Sequence, residues 1–296
     1  MQSFTKILND INIKKIKEQL SKYQKPVPNN PYIMFFFKTA NHTISIFHNN
    51  KMLIQGNNPS NFYDELINAK TLENRTNQKL TDDYIGCDEV GVGDYFGGIV
   101  TCAVYLKKTN EVAMRNLGVC DSKHITDQNM KLMFNQIINL CEYEYKMANP
   151  KRYNQLVALY KNAHIVKAFL HDQCIKKLTK RLKIKKEISI VMDQFAPKNT
   201  YYQYFKEINL VPHEITHFET KAENKYLAVA AASVIARVLF LKQIDDLSLQ
   251  AKIKLLLGAS NPEIIEQARK IYRSIGKMGL AKFAKIDFAT TKKVIG

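Results

Sequence analysis

The stretch that most constrains the fold runs over residues 84–106 and reads YIGCDEVGVGDYFGGIVTCAVYL. An apolar run typical of a strand leads directly into two adjacent acids, Asp88 and Glu89, and a glycine-rich segment follows them. The residues after the glycines, IVTCAVYL, alternate like a second strand. The pattern therefore predicts two strands joined by a glycine turn, with two carboxylates near the end of the first strand.

Three roles are open for the glycine-rich segment: a flexible loop, a phosphate cradle or part of a metal site. A dinucleotide-binding fingerprint must lead into the N-terminus of a helix, whereas this segment leads into a strand. A P-loop requires Gly-Lys-Ser or Gly-Lys-Thr, and neither follows. Both phosphate-binding motifs are thus excluded, and the loop and the metal site remain.

Two further acids support the metal site. Asp193 ends the apolar run 188–192, so it is predicted to lie at a strand end, as Asp88 is. Glu223 is predicted near the start of a helix from about 222 to 246, whose alanines permit a close approach to a sheet. Clustered carboxylates repel one another unless cations lie between them, and oxygen ligands without His or Cys suit magnesium or manganese.

Each acid taken alone also has a purely structural explanation. An Asp at a strand end is most often a turn cap, and Glu223 fits an ordinary acid in the first turn of a helix. The combination of the acid pair, the glycine turn, the second strand-end Asp and the third acid favours the metal site. Two-metal phosphodiester hydrolysis uses all of these features.

The charge balance suits a polyanionic partner. The 296 residues include 44 lysines and arginines against 27 aspartates and glutamates, a formal net charge of +17. Such a chain gains affinity for nucleic acid because each neutralised phosphate releases condensed counterions. Charge alone is equally compatible with a basic, soluble surface that has no partner. The hydrophobic fraction of 46% excludes general disorder.

Cysteine usage and hydropathy indicate a cytoplasmic protein. The five cysteines are odd in number and form no CxxC, so neither a zinc cage nor a disulfide framework is expected. The N-terminus has no apolar signal region, and the longest apolar run, 227–241, is interrupted by Ser233 and Arg237. We therefore expect neither secretion nor membrane anchoring.

The chain is predicted to form two domains, with a boundary near residue 80. Residues 5–24 have apolar positions at helical spacing, and three strands follow at 32–38, 43–48 and 51–56. The polar segment 71–83 is the predicted linker. Beyond it, strands alternate with helical stretches, which predicts an α/β layer with a mixed sheet.

The small N-terminal sheet is predicted to have two different faces. One is apolar and consists of Ile33, Phe35, Phe37, Ile44 and Ile46. The other mixes aromatic and polar groups and consists of Tyr32, Phe36, Lys38, Thr43, Ser45 and Phe47. Residues 1–80 carry 11 basic and 5 acidic side chains, a net +6. The mixed face suits nucleic-acid binding by stacking and phosphate contact, although a face covered by another domain has a similar composition.

At this point the residues resemble a known family, bacterial ribonuclease HIII of the type 2 ribonuclease H lineage. The segments that carry the resemblance are IGCDEVGVGDYFGGIV (85–100), DSKHIT (121–126), NPKRYNQL (149–156), VKAFLHDQC (166–174), MDQF (192–195) and TKAENKYLAVAAASVIAR (220–237). Residues 31–56 also resemble the family's N-terminal domain, which is itself similar to the TATA-binding protein.

The resemblance implies an α/β fold: an RNase H-like mixed sheet flanked by helices, with a small N-terminal α+β domain. It implies a substrate-binding domain with linker over 1–80 and a catalytic domain over 81–296. The activity it implies is hydrolysis of the RNA strand of RNA/DNA hybrids by a two-metal mechanism, which leaves 5′-phosphate and 3′-hydroxyl ends. We expect a monomer, since nothing in the sequence requires more.

The family's site residues carry over onto this chain as follows. The resemblance implies that Mg²⁺ or Mn²⁺, two per site, are bound by Asp88, Glu89, Asp193 and Glu223, with Asp88 bridging both. It implies that the backbone at Gly91, Val92 and Gly93 contacts the ribose 2′-hydroxyls, which distinguish RNA from DNA. It also suggests that Ser122 and Lys123 hold a phosphate, although capping of the following helix by Asp121 or Ser122 explains these residues almost as well.

The sequence departs from the family at four positions, where Val92 replaces Thr, Gly98 replaces Pro, His124 replaces Lys and Asp287 replaces His. Two alternatives remain: a type HII ribonuclease acting at embedded ribonucleotides, and a non-catalytic nucleic-acid-binding protein. Type HII enzymes usually have Gly-Arg-Gly in the turn, Asp as the fourth acid and no long N-terminal domain. The present chain has Gly-Val-Gly, Glu223 and about eighty additional residues, and all three features favour the HIII type over the HII type.

Overall fold

The chain divides into two compact units, residues 1–77 and 78–296. The computed structural model describes residues 2–39, 41–68, 80, 82–120, 126–184 and 188–296. Most of the predicted linker over 71–83 lies outside the described residues, as does Ala40 of the first predicted turn. Each unit is described by itself.

The first unit is a four-stranded antiparallel sheet with two helices. Its elements are β1 (Gln2–Ile7), α1 (Asp10–Gln19), a 3-10 turn (Ser21–Tyr23), β2 (Ile33–Lys38), β3 (His42–Phe47), β4 (Lys51–Gly56) and α2 (Pro59–Asn68). The strand order is β1-β4-β3-β2. Its core includes Ile16 of α1 with Phe37, Ile44, Ile46 and Ile54 of the sheet. The predicted small α+β domain is confirmed, while its likeness to the TATA-binding protein stays a prediction.

The first predicted helix was placed too early in the chain. Residues 2–7 form the edge strand β1, which pairs with β4 from Gln2–Gly56 to Ile7–Lys51. The helix begins only at Asp10, where the Asn9 side chain accepts a hydrogen bond of 2.8 Å from the backbone N–H of Asn12. Pairing with a strand some fifty residues later outweighs the local helical spacing.

A β-bulge changes one predicted face of this sheet. Ile33 pairs with Phe47 and Phe35 pairs with Ile46, so Met34 is an additional residue in β2. Such an insertion moves every side chain before it to the opposite face. The assignment of Ile33 to the buried face is therefore wrong, because its partner Phe47 belongs to the mixed face. Phe37 lies in the core and Phe35, partly buried, packs against it, on the side that was predicted.

The second unit contains a five-stranded mixed sheet flanked by helices. Its elements are β5 (Tyr84–Val90), β6 (Ile99–Leu106), α3 (Glu111–Asn116), α4 (Asp127–Ile137), β7 (Glu142–Ala148), α5 (Pro150–Tyr160), α6 (Ala163–Arg181), β8 (Ser189–Asp193), α7 (Lys198–Glu207), β9 (His217–Glu219), α8 (Leu227–Ala251), α9 (Pro262–Leu280) and α10 (Ala289–Ile295). The strand order is β7-β6-β5-β8-β9. Strand β5 is antiparallel to β6 and parallel to β8. The predicted mixed sheet is confirmed, and β9 was not predicted.

Helix α8 covers one face of this sheet, against β5 and β6. Among the residues that the structure describes, it is the single helix long and apolar enough to cross a membrane, but 67% of its most apolar window is buried, as in the core helix of a soluble domain. Helix α6 packs on the sheet against β6 and β7, and its buried Cys174 shares a second core cluster with Ile85 and Cys87 of β5. Strand β5 thus lies between two cores.

Gly86 sets the distance between β5 and α8. A Cβ atom at this position would lie 2.3 Å from the backbone N of Val229 and 2.4 Å from the carbonyl carbon of Ala228. No flexible side chain can move aside to relieve contacts with backbone atoms. The small residues of α8, as predicted, let it approach the sheet, and the glycine completes that approach.

We predict that Gly86→Ala destabilises the protein by at least about 1–3 kcal/mol, the usual cost of overpacking a core. The free energy of unfolding in urea measures the effect. Gly93→Ala is the matched control, because a Cβ at Gly93 would have no neighbour within 4 Å. Equal stability of the two variants would contradict this account of the packing.

Candidate active site

Successive residues of β5 point to opposite faces of the sheet, and this separates the two adjacent acids. Tyr84 belongs to the core cluster of α8, and Gly86 faces that helix directly. Asp88 continues this series, so it lies on the α8 face. Cys87 belongs to the other cluster, and Glu89 continues that series on the α6 face. The partners of each carboxylate agree with this separation.

Asp88 is a buried carboxylate among other acids. Its side chain is hydrogen-bonded to the Ser233 hydroxyl of α8, and its Oδ1 accepts the backbone N–H of Glu89 at 2.7 Å. Burial raises the pKa of the Asp88 carboxyl well above its ordinary value, and repulsion from Glu89 and Asp193 adds to this effect. A nearby cation would stabilise the charged carboxylate and so offset both effects.

Asp193 and Glu223 are brought to the same face by the strand β8 and the turn before α8. Strand β8 runs parallel to β5, and their last registered pair, Cys87 with Met192, directly precedes Asp88 and Asp193. Oδ1 of Asp193 accepts the backbone N–H of Ala222 at 2.8 Å. Glu223 follows in the 3-10 turn Ala222–Asn224 and is 9% exposed. Helix α8 begins only at Leu227, so its predicted start near 222 was early.

Glu89 is held on the α6 face by two cationic or hydrogen-bonding side chains. Its Oε1 lies 2.8 Å from Nζ of Lys167, and its Oε2 lies 2.9 Å from Nε2 of His171. Lys167 lies 3.9 Å above the Phe195 ring, on which His171 also stacks. Burial alone would raise the pKa of Glu89, but the hydrogen bonds and charges of His171 and Lys167 outweigh it, so the pKa is lowered.

The donor set fits a hard divalent cation, but the ligands are not assembled in advance. Asp88, Asp193 and Glu223 offer carboxylate oxygens, which Mg²⁺ and Mn²⁺ prefer. Among the described residues, no three His, Cys, Asp or Glu side chains are arranged to hold an ion together. The alternation along β5 turns Glu89 away from Asp88, and repulsion acts between Asp88 and Asp193.

The glycine turn, residues 91–98 between β5 and β6, requires glycine at two positions with left-handed backbone. Gly91 has φ 95° and Gly97 has φ 80°, conformations that other residues rarely adopt. Val92 is 41% exposed, and Gly93 is exposed as well. The tip of the turn is therefore at the surface, while the segment that follows is packed against neighbouring backbone.

The remaining predicted site residues, Ser122 and Lys123, lie outside the described residues. Three further residues at the site, Lys167, His171 and Ser233, were not predicted from the sequence. Lys167 and His171 are four residues apart, a spacing that places two side chains on one helix face and could have indicated a shared partner. Ser233 was noted only as an interruption in an apolar run, although a partly buried hydroxyl in such a run calls for a hydrogen-bond partner.

Comparison with known proteins places the chain in a family. The family profile described as Ribonuclease HII matches residues 85–291, and a Domain of unknown function (DUF3378) matches residues 5–79. Ribonuclease HIII of Streptococcus gordonii is 36% identical over 295 residues, with 99% of this chain and 98% of the relative covered. Ribonuclease HIII of Ureaplasma parvum is 34% identical over 288 residues, with 90% of each covered.

A solved structure agrees with these relatives. The crystal structure of Bst-RNase HIII in complex with Mn²⁺ matches with a TM-score of 0.71 at 26% identity and covers 99% of this chain and 98% of that chain. The predicted RNase H-like fold is thereby confirmed. Since the relatives named ribonuclease HIII extend over both units, the HIII interpretation is favoured over HII. The chain therefore belongs to the ribonuclease HIII family and is a ribonuclease H enzyme.

Proposed function

We propose that Asp88, Glu89, Asp193 and Glu223 form the catalytic centre with which this ribonuclease H hydrolyses the RNA strand of RNA/DNA hybrids. The observation that carries the proposal is that the last registered pair of β5 and β8 directly precedes Asp88 and Asp193. Burial raises the pKa of Asp88, repulsion from Glu89 and Asp193 adds to this, and Asp193 accepts the N–H of Ala222, the residue before Glu223. Repulsion of this kind is costly for a fold and is relieved by a cation.

Two divalent cations, Mg²⁺ or Mn²⁺, would supply an activated water and stabilise the leaving 3′-oxygen when bound, so that 5′-phosphate and 3′-hydroxyl ends result. Asp88, Asp193 and Glu223 would hold them. Ser233 fixes the Asp88 carboxylate, and the backbone N–H of Ala222 fixes that of Asp193. Lys167 and His171 keep Glu89 ionised at the same strand end.

We propose that the glycine turn recognises the RNA strand. The backbone at Gly91, Val92 and Gly93 follows directly on the acids, and the exposed tip can approach a ribose 2′-hydroxyl, which both donates and accepts a hydrogen bond. Val92 contributes no side-chain hydrogen bond. We assign Ser122 and Lys123 to phosphate contact on the resemblance alone.

The first unit is the proposed substrate-binding domain. The opposite side of its sheet from the buried core carries Phe36, Lys38 and Phe47, which combine stacking surfaces with a positive charge. We place the enzyme in the cytoplasm, since all five cysteines are free thiols. We also propose that it is a monomer, because nothing in the sequence requires more. Sedimentation analysis and cell fractionation test these two assignments.

We predict that Asp88→Asn and Asp193→Asn each lower the cleavage of a continuous RNA/DNA hybrid by about 10²-fold or more in Mg²⁺ or Mn²⁺, since metal contacts contribute several kcal/mol to the transition state. Glu223→Gln is expected to act in the same direction. Hybrid affinity should stay close to that of the wild type, because the basic surface is unchanged. Wild-type cleavage by all three variants would refute the site.

Two controls accompany this experiment. At neutral pH, metal-free Asp88→Asn is expected to be more stable than the wild type, because ionisation of a carboxyl group whose pKa is raised in the folded protein costs stability. A DNA duplex with a single ribonucleotide should be cut poorly, because all but one 2′-hydroxyl contact is lost. Preferred cleavage at that single ribonucleotide would support a type HII activity, and tight binding without any cleavage would support a non-catalytic protein.

We predict that Lys167→Met destabilises the metal-free protein by about 3 kcal/mol, because it leaves the buried Glu89 carboxylate with only His171 as a partner. Lys177→Met is the matched control on the same helix. Lys177 pairs with Glu144 at 2.8 Å but is 57% exposed, so its loss should cost about 1 kcal/mol or less. Urea unfolding of both variants measures the difference, and equal losses would show that the Glu89 pair is screened by solvent.

We predict that the double variant Phe36→Ala/Lys38→Gln weakens hybrid binding by about tenfold or more, since a stacked base contributes about 1–3 kcal/mol. The dependence of log K on log salt concentration should become shallower by about one, because one phosphate contact is lost. Lys14→Gln in α1 removes the same charge from the helical side of the unit and is the control. If both variants bind hybrid alike across salt concentrations, the sheet face does not touch substrate.

A further inference from the structure

The glycine turn of the second unit is fixed mainly by groups from the C-terminal part of the chain. Its own described backbone contact is a long one, from the N–H of Asp94 to the carbonyl of Gly91 at 3.4 Å. The contacts from outside are Tyr95 N–H to Gly258 O (2.7 Å), Gly97 N–H to Phe283 O (2.9 Å), Gly258 N–H to Asp94 Oδ1 (2.6 Å) and Lys285 N–H to Tyr95 O (3.0 Å). The conformation of the turn therefore depends on distant residues.

Lys285 contributes a buried ammonium group to this arrangement. Its side chain is fully buried, and Nζ donates to the carbonyls of Gly97 at 3.1 Å and Gly98 at 3.3 Å. Aromatic rings of Tyr153 and Phe288 lie 5.7 and 5.2 Å from the same Nζ. Within the described part of the chain, no carboxylate lies at ion-pair distance from it. The charge is thus directed at the turn.

Gln243 of α8 holds the same point from the other side. Its Oε1 accepts the backbone N–H of Gly98 at 2.6 Å, while its buried Nε2 has no hydrogen-bond partner. A Cβ at Gly98 would lie 1.7 Å from the carbonyl oxygen of Ala148. Proline, which the resemblance led us to expect at this position, has neither the N–H for Gln243 nor the room. The two side chains and Gly98 therefore form one clamp.

The clamp is unfavourable for stability in itself. Burial lowers the pKa of Lys285 to about 8, although the negative charges of Asp94 and Asp287 oppose this. An apolar side chain in place of a buried charge is often neutral or stabilising, and the orphaned amide of Gln243 adds a second unfavourable group. Fold stability alone does not account for this choice of residues, whereas control of the turn does.

We propose that Lys285 and Gln243 are positioning residues that fix the glycine turn in the conformation that distinguishes an RNA strand from a DNA strand. The proposal rests on the proposed function of the turn as the reader of 2′-hydroxyls. The clamp acts on the backbone carbonyls and N–H of Gly97 and Gly98, at the far end of the turn from Asp88 and Glu89. Selectivity for hybrid thus depends on a lysine that touches no substrate.

The test is the affinity of Lys285→Met for an RNA/DNA hybrid and for a DNA duplex of the same sequence, measured with EDTA present over a range of salt. We expect the dissociation constant for hybrid to rise by about tenfold or more, as displacement of a positioning contact generally does. The constant for the DNA duplex and the salt slope should not change, because a buried ammonium binds no phosphate. Gln243→Leu should have the same selective effect.

Lys282→Met is the matched control, since Lys282 is exposed three residues away. It should weaken hybrid and DNA binding equally or leave both unchanged. Unchanged hybrid selectivity in folded Lys285→Met and Gln243→Leu would overturn the proposal, and so would equal weakening for both duplexes. If neither variant folds, the clamp is only structural and the proposal is wrong; if only one folds, that variant decides.

Failure of this inference is distinguishable from failure of the proposed function. The function fails when the variants of Asp88 and Asp193 cut hybrid normally. The inference fails when those variants are inactive while Lys285→Met and Gln243→Leu retain the selectivity of the wild type. The stabilisation of each clamp variant by Mn²⁺ should match that of the wild type, because neither residue contacts an acid of the site.

Discussion

The two-residue periodicity of strand β5 is the constraint on which the site depends. Because neighbouring side chains point to opposite faces, Asp88 and Glu89 cannot share one environment although they are adjacent in sequence. Asp88 lies on the α8 face, with Ser233 and with Asp193, which ends β8. Glu89 meets the α6 face, with Lys167 and His171. Gly86 lets α8 pack closely on one face of this strand, and α6 contributes to the core on the other face.

The two environments move the two carboxyl groups in opposite directions. Burial and like charges raise the pKa of Asp88, whereas His171 and Lys167 lower that of Glu89 against the effect of burial. The charge of Glu89 is thus compensated by protein side chains, whereas we propose that a bound cation compensates the charge of Asp88. Buried acids with a raised pKa, as at Asp88, are concentrated at functional sites, since their ionisation costs the fold stability.

The conformation of the glycine turn depends both on its own sequence and on contacts with distant residues. Its positive φ values at Gly91 and Gly97 are encoded by the glycines themselves. Its hydrogen bonds come from residues more than a hundred positions later in the chain, including Gly258, Phe283 and Lys285. The strand that carries the candidate acids and the turn proposed to recognise RNA are adjacent in sequence but are held by different parts of the fold.

Much of this could be predicted from the sequence, because strand and turn patterns are local. The acids at Asp88 and Asp193, the glycine turn and the mixed sheet all follow from short-range patterns. The edge strand β1, the bulge at Met34 and the Lys167–Glu89 pair depend on contacts between distant segments, which local periodicity does not encode. The opposite orientation of Asp88 and Glu89 was available from strand geometry alone, and only their partners required the structure.

The location of bound Mn²⁺ in crystals of the protein tests the central claim most directly. An anomalous difference map after a soak in Mn²⁺ shows which side chains coordinate the ion. The account predicts a peak on the α8 face of β5, in direct contact with carboxylate oxygens of Asp88 and Asp193. A fully occupied ion elsewhere, with Asp88 uncoordinated, would contradict it.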